Sequence, residues 1–506
     1  MSGLSMFAFL FGLVVAAYWT VMNNTFIADD FAFISRAGSL EVTGLWQLFT
    51  VLPSFVRPVP LFVWWIQYNV FGMSAWPAHL INTLLQAATA YLLFWFLTIW
   101  GARRLSAGLA ATLFVISPVA PETVTWVSGR FDLLALMFTL LALCLYGVTI
   151  RSGNRFAFAG AMLAAVAAFF SKETAMVLIV LVPAMELLYG RRFPSEDRTR
   201  EADSVRADLT SLLPRMYGPL ARLSIFFVIF MGHIAVRYAS LGRLGGYQDV
   251  PVIGRPYPGA AARTITTLLS PLNSHEFPMG AIYALLAFTS LLCLSALLVV
   301  FWRWQRTSAG IRRLWLFMAV FLGASIAPVY AQLFMMGVNH SLREIRVLYF
   351  PTLAVLSLVA LGLLEFGWKN RKWQIGAAAA LLALLPVYFV GVNFNNRPWE
   401  RAAAINHSLP LQARALLPDP HENAKIYFRG VPEWQGGAYV FITGLQPAIR
   451  IAYDRDDLKV IYLGSSVKSA RDEGDGYLFS YDSETGLLRL IRALDQGTGQ
   501  WTYQDG

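Results

Sequence analysis

Long apolar runs broken by short polar connectors dominate this chain, and that alternation commits most of it to a lipid solvent. The runs fall at 3–22, 77–100, 105–120, 131–150, 156–170, 174–189, 220–236, 279–302, 314–336, 347–367 and 373–394. A bilayer-crossing helix needs ~20 apolar residues, and somewhat fewer where neighbouring helices shield it. The reading is therefore eleven transmembrane helices, with 105–120 and 156–170 the shortest. The first run has no basic segment before it and no small-residue cleavage site, so it is expected to be a retained helix rather than a removed leader. Only 14% of the 506 residues are charged, against roughly 25% in a soluble domain. Together with 57% hydrophobic residues, this excludes a soluble globular enzyme, a disordered chain and a nucleic-acid reader. The net charge of +10 is read as membrane topology. Cys144 and Cys293, the two cysteines, both lie in apolar runs and imply no disulfide framework.

Orientation follows from the placement of Lys and Arg. With the N-terminus inside, the cytoplasmic connectors carry 18 Lys/Arg in 58 residues and the outer ones 10 in 119, which decides the matter by the positive-inside rule. The segment 58–72 (PVPLFVWWIQYNVFG) is apolar but short, and counting it as a span would reverse that bias. It is expected to lie in the membrane interface within a first outer loop, 23–76, with Trp64, Trp65 and Tyr68 at the headgroup level. The connector 190–222 is expected to be solvated, with some amphipathic helix. Two domains follow: a transmembrane unit over 1–394 and an extracytoplasmic tail over 395–506. The tail carries strand-like runs YVFITG, IRIAYD and LKVIYL, and a hairpin signal at FSYDSETGLLRLI. The expected fold class is an α-helical polytopic membrane protein with a small mixed α/β or β-rich C-terminal domain.

Charged side chains beside an apolar bundle are costly and tend to mark a site or a paired structural contact. Four clusters share the outer side. Asp29-Asp30 follows the first span, and reads either as a general base or acceptor ligand or as a helix N-cap. Glu122, Arg130 and Asp132 lie in PVAPETVTWVSGRFDLLA. There Arg130 either pairs with Asp132 or offers its planar fork to a phosphate. Lys172-Glu173 forms a short turn that is either plain or a point-charge phosphate binder. Arg343, Glu344 and Arg346 precede a span beginning near Tyr349, as a salt-bridged helix start or a cationic lid. Arg57-Pro58 adds a cation, and His79 opens the second span, where a hydrogen-bonded structural histidine is the commoner role.

A carboxylate pair, a second acid and several cations near the headgroup plane suit transfer of a sugar from a lipid-linked phosphate. The leaving phosphate needs positive charge, the incoming hydroxyl needs a base, and the lipid tail needs a groove between helices. No P-loop or glycine-rich nucleotide motif occurs. The alternative is a transporter or flippase of an anionic or lipid-linked substrate, with carboxylates coupling protons. No inverted repeat supports it.

At these residues the chain resembles the GT-C membrane glycosyltransferases, and among them the transmembrane O-mannosyltransferases that carry tetratricopeptide repeats and their bacterial relatives. The resemblance runs through residues 20–190 in order and returns at 339–352. It rests on the early Asp-Asp, Arg57-Pro58, WPAHLINTLLQAATAYLLF with His79 and Asn82, ISPVAPETVTWVSGRFDLLA, FFSKETA and REIRVLYFPT. It implies inverting transfer from a polyprenyl-phosphate sugar on the outer face of the plasma (inner) membrane. Asp29 would be the base with Asp30 its partner, and Glu122 would contact acceptor or sugar. Arg57, Arg130, Lys172 and Arg346 would bind the donor phosphate, with His79, Asp132, Glu173, Arg343, Glu344 and Tyr349 as further pocket candidates. The family's His in its Pro-x-His segment is replaced around Val119-Ala120, and the tail stands where the repeats would be. The acceptor expected is a glycan, glycolipid or protein, other partners being membrane lipids and no nucleic acid. No cofactor is assigned. The carboxylates offer ligands for Mg or Mn, and nothing in the spacing decides for a metal.

Overall fold

The computed structural model describes residues 3–49, 55–190, 209–243, 257–330, 333, 337–367, 371–463, 476–494 and 501–503. Among them, eight helical stretches are long and apolar enough to cross a membrane: Trp76–Ile99, Val127–Ser152, Glu173–Gly190, Gly218–Leu241, Met279–Arg306, Ala309–Val329, Ile345–Leu364 and Arg371–Leu416. Three shorter apolar helices, Gly3–Ala17, Arg104–Val115 and Arg155–Phe169, complete the set. Each of the eleven runs read from the sequence falls on one of these. The chain is an α-helical, multi-pass membrane protein. The segment 58–72 forms a separate helix, Pro58–Phe71, started by prolines in its first turn, where a missing N–H costs nothing. Most of the connector 190–222 lies outside the described residues.

Small residues let the helices approach. Ala107, Ala110 and Ala111 on Arg104–Val115, and Ala161, Ala164, Ala165 and Ala168 on Arg155–Phe169, are all buried. Such faces suit lipid, where close packing rather than the hydrophobic effect holds helices together.

The tail builds a five-stranded sheet of order β4-β1-β5-β6-β7 and a two-stranded ribbon, β2-β3. The strands are β1 Lys425–Arg429, β2 Trp434–Gln435, β3 Ala438–Tyr439, β4 Lys459–Tyr462, β5 Tyr477–Asp482, β6 Leu487–Leu494 and β7 Trp501–Tyr503. β1 pairs in parallel with β4 and β5, and β5-β6-β7 is antiparallel. The hairpin signal at FSYDSETGLLRLI is the β5-β6 turn, closed by Gly486 at φ 71°. Two expectations fail. IRIAYD is helical, within Leu445–Tyr453, which buries Leu445, Ala448, Ile449 and Tyr453. That spacing is one helical face, which hides behind the β-branched Ile449 and Ile451. YVFITG contributes a strand residue only at Tyr439 and then turns.

The helix Leu384–Leu416 runs across position 394/395 without a break. Beyond it, one hydrophobic core joins Phe26, Phe33, Trp64 and Phe131 to Trp399, Phe428 and Phe479. First loop and tail are thus packed together at one end of the bundle.

Candidate active site

Three loops at that end are shaped by specific contacts. The Asn82 amide donates to the carbonyls of Val124, Trp126 and Val127 at 3.1–3.3 Å. It pins the turn leading to Ser128. Gly129 sits so tightly that a Cβ there would collide with the Glu122 and Thr123 carbonyls. Asp30 is fully buried and spends both oxygens on this corner. It accepts from the Ile27 N–H at 3.0 Å, the Ser128 N–H at 2.7 Å and the Ser128 hydroxyl. Ala28, next to Asp29, has φ 52°, a left-handed conformation that strains a residue with a side chain. Asn406 of the tail holds it by accepting the Ala28 N–H at 3.2 Å.

Between these loops opens a cleft of about 520 Å³. Asp29, Arg57, Asp132, Lys172, Glu173, Arg343, Glu344 and Arg346 line it, so eight of the thirteen residues singled out in the sequence meet there. Arg237, Trp126, Ser128, Phe55, Phe131, Trp434 and Tyr439 line it too. Sequence reasoning missed them. Arg237 lies one position beyond the apolar run 220–236, yet it stands on the membrane helix Gly218–Leu241, where a charge tends to mark a site. The aromatic residues carry no such mark.

The cleft's charges are mostly paired. The Lys172 ammonium sits 2.6 Å from Asp132. Glu173 bridges Arg57 at 2.6 Å and Arg237 at 2.7 Å. Arg346 pairs with Glu122 and donates to the Tyr439 hydroxyl at 2.9 Å. That hydroxyl in turn faces Glu344 at 3.4 Å. Arg343 lies over the Trp434 ring at 3.5 Å. Asp29 differs from all of these. It occupies the N-cap position of Asp30–Gly38 but makes no capping bond, and its Oδ1 has no hydrogen-bond partner. Burial, followed by the neighbouring Asp30, pushes its carboxyl up to about 7. Burial raises Asp30 to about 6 and Glu122 in the same direction, against the pull of Arg346. Burial lowers the Lys172 ammonium, opposed by Asp132 and assisted by Arg346 and Arg57.

Five expected residues lie elsewhere. Arg130 is fully buried, donating to Gln67 at 2.8 Å and to Val127 at 3.2 Å, with Trp64 under its guanidinium at 4.3 Å. It neither lines the cleft nor pairs with Asp132. Asp30 is used up in the corner just described. Glu122 is 1% exposed and lines a smaller neighbouring pocket. The His79 Nε2 meets the Asn24 carbonyl at 3.1 Å, and the Tyr349 hydroxyl is bonded to Gln86. Backbone strain also gathers here. Of five non-glycine residues with positive φ among those described, Ala28 and Glu344 line the cleft and Leu342 adjoins it. Among the described residues, no three His, Cys, Asp or Glu side chains come together as a metal-binding group.

No protein-family model matches the chain. Over 190 residues it is 25% identical to Protein O-mannosyl-transferase Tmtc1 of Drosophila melanogaster, a stretch that is 35% of this chain and 22% of that protein. The aligned part thus spans about a fifth of that relative. Among solved structures, ArnT from Cupriavidus metallidurans is similar when bound to undecaprenyl phosphate, with TM-score 0.45 and 10% identity over 94% of this chain and 93% of that one. Its apo form has TM-score 0.35 and 13% identity over 96% and 94%. The sequence similarity to an O-mannosyltransferase agrees with the resemblance carried by the motifs of the first outer loops.

Proposed function

We propose that this chain is an integral-membrane glycosyltransferase of the GT-C type. It transfers a sugar from a polyprenyl-phosphate donor, with inversion, to an acceptor on the extracytoplasmic face. The observation that carries this reading is the cleft itself. One carboxylate with an unpartnered oxygen stands in a chamber lined by five cations, Arg57, Lys172, Arg237, Arg343 and Arg346.

The acceptor hydroxyl attacks the anomeric carbon on the face opposite the phosphate and gives its proton to Asp29. The bond from the anomeric carbon to the phosphate oxygen breaks, its electron pair stays on that oxygen, and polyprenyl phosphate leaves. Lys172, Arg57 and Arg346, with Arg237 beside them, stabilise the growing phosphate charge. Prepositioned charges in a partly dry site do this without reorganising. Arg130 and Asp30 hold the loops that present these groups.

The test is reconstitution of the purified chain in lipid vesicles with synthetic undecaprenyl-phosphate hexoses. Release of undecaprenyl phosphate with formation of a glycoside of opposite anomeric configuration is expected. Retained configuration, or full turnover in Asp29→Asn, would sink the mechanism.

A further inference from the structure

We infer that the acceptor is a carbohydrate, seated against a wall that the C-terminal domain contributes to the cleft. The inference rests on the transfer reading above and names its second substrate. The wall is the strip 434–444, from which Trp434, Tyr439, Ile442 and Thr443 line the cleft. Two glycines press it home. A Cβ at Gly437 would collide with the Ser341 carbonyl, and one at Gly444 with the Ala28 carbonyl. The second contact sets the wall beside Asp29. A hydroxyl that passes its proton to Asp29 must come within ~2.6–3.2 Å of it, so the molecule bearing that hydroxyl borders the wall. Arg57, Lys172 and Arg237 gather round Glu173 and Asp132 and leave that flank to the phosphate.

The wall's chemistry matches a sugar ring. The Trp434 and Tyr439 rings are 4.1 Å apart, and Trp126 is 4.9 Å from Tyr439. A pyranose presents a face of weakly positive C–H groups, which suits the negative face of an aromatic ring. Its rim of hydroxyls suits charged groups such as Arg343 and Glu344. A Ser or Thr side chain offers no such face. The guanidinium now on Trp434 belongs to Arg343, which is exposed and has no carboxylate at salt-bridge distance among the described residues. A sugar ring can take its place and gain its N–H donors. A separate observation agrees: Trp126 and Trp434 both keep a buried indole N–H without a partner.

The experiment uses the full chain in nanodiscs and saturation-transfer difference NMR. The probes are mannotriose, chitotriose, cellotriose and a Ser/Thr-containing hexapeptide, each with and without undecaprenyl phosphate. At least one trisaccharide is expected to show saturation at its ring C–H protons. Trp434→Ala should weaken that binding at least tenfold, Trp434→Phe should restore most of it, and undecaprenyl phosphate should bind all three proteins equally. If Trp434→Ala does not fold, Tyr439→Phe replaces it, with a loss of several-fold expected. Silence of all three sugars, preference for the peptide, or indifference to both variants overturns the inference. Failure of undecaprenyl phosphate to bind the unaltered chain overturns the donor reading instead, and leaves the sugar signals to be judged on their own.

Discussion

Two charged clusters sit on one helix and behave differently. The helix Arg130–Ser152 carries Asp132 near its start and Tyr146 near its end, separated by roughly 21 Å at ~1.5 Å rise per residue. At the Tyr146 end, Glu186 is held by the Tyr146 hydroxyl at 2.7 Å and by Arg222 at 2.7 and 3.1 Å. Nearby in kind, Glu365 accepts from the Arg103 N–H at 2.9 Å and from Ser106. Both acids are consumed in closed sets of contacts, and neither lines the cleft. At the Asp132 end the ion pairs border open space, and Asp29 has bonding capacity left over. Buried charge is thus common to both ends. What distinguishes the end proposed to react is unfinished pairing beside a cavity.

The sharpest way to break this contrast is to neutralise one acid from each end. Asp29→Asn is expected to lower kcat by ~10²–10⁴, the range for loss of a general base, while undecaprenyl phosphate binding stays within a few-fold. Glu186→Gln should leave turnover per folded molecule within about twofold and lower the melting temperature. Equal kinetic damage from both would erase the distinction.

Lys172 separates support from binding within the cleft. Lys172→Met leaves the buried Asp132 carboxylate alone, which costs about 3 kcal/mol and reads as a fall in Tm. Adding Asp132→Asn should recover most of that stability. Donor affinity should stay down by about 30-fold in both proteins, since the charge proposed to meet the phosphate is gone in each. Recovery of affinity along with stability would make Lys172 a purely structural residue.

Arg130→Lys sharpens the same point. Its planar fork and its place on Trp64 are not matched by an ammonium, so a loss of about 2 kcal/mol in stability is expected. Donor affinity of the folded fraction, measured by titration, should be unchanged within about twofold. A tenfold loss would return Arg130 to the phosphate.

The smallest effect is a displacement along the pH axis. In the proposed mechanism Asp29 accepts the proton only when ionised, and burial with Asp30 beside it pushes its carboxyl up to about 7. Turnover should therefore rise with pH through about 7, where half of the carboxyl is ionised, and level off above it. Asp30→Asn removes one of the two raising causes, so the rising limb should move to lower pH. A limb that stays put assigns the titration to another group.

Much of the fold was legible because lipid imposes one simple rule. A spanning helix must be long and apolar; among the described residues eight of the eleven runs meet that rule in full and three fall on shorter apolar helices. Part of the site was legible for the same reason in reverse: Asp29, Lys172 and Arg346 interrupt apolar stretches at a cost that demands a purpose. Arg130 and Asp132 show where this stops. They stand two positions apart with similar surroundings, yet one turns to Gln67 and the other to Lys172. Only the packed partner distinguishes them. Trp434 and Tyr439 were invisible because a two-residue ribbon has no period to read, and their place in the cleft depends on Gly437 and Gly444 meeting the loops at Ser341 and Ala28, far away in the chain.

The helix Leu384–Leu416 gives bilayer thickness a path to the proposed site. It carries the apolar run 373–394 on into the tail as one continuous helix, through Pro398 and Pro410, with Asn395 anchored at 2.8 Å to the carbonyls of Pro118 and Pro271. Rods tilt when acyl chains are too short or too long for them. A change of lipid length is then expected to reach the aromatic wall beside Asp29, where the two proposed substrates would meet.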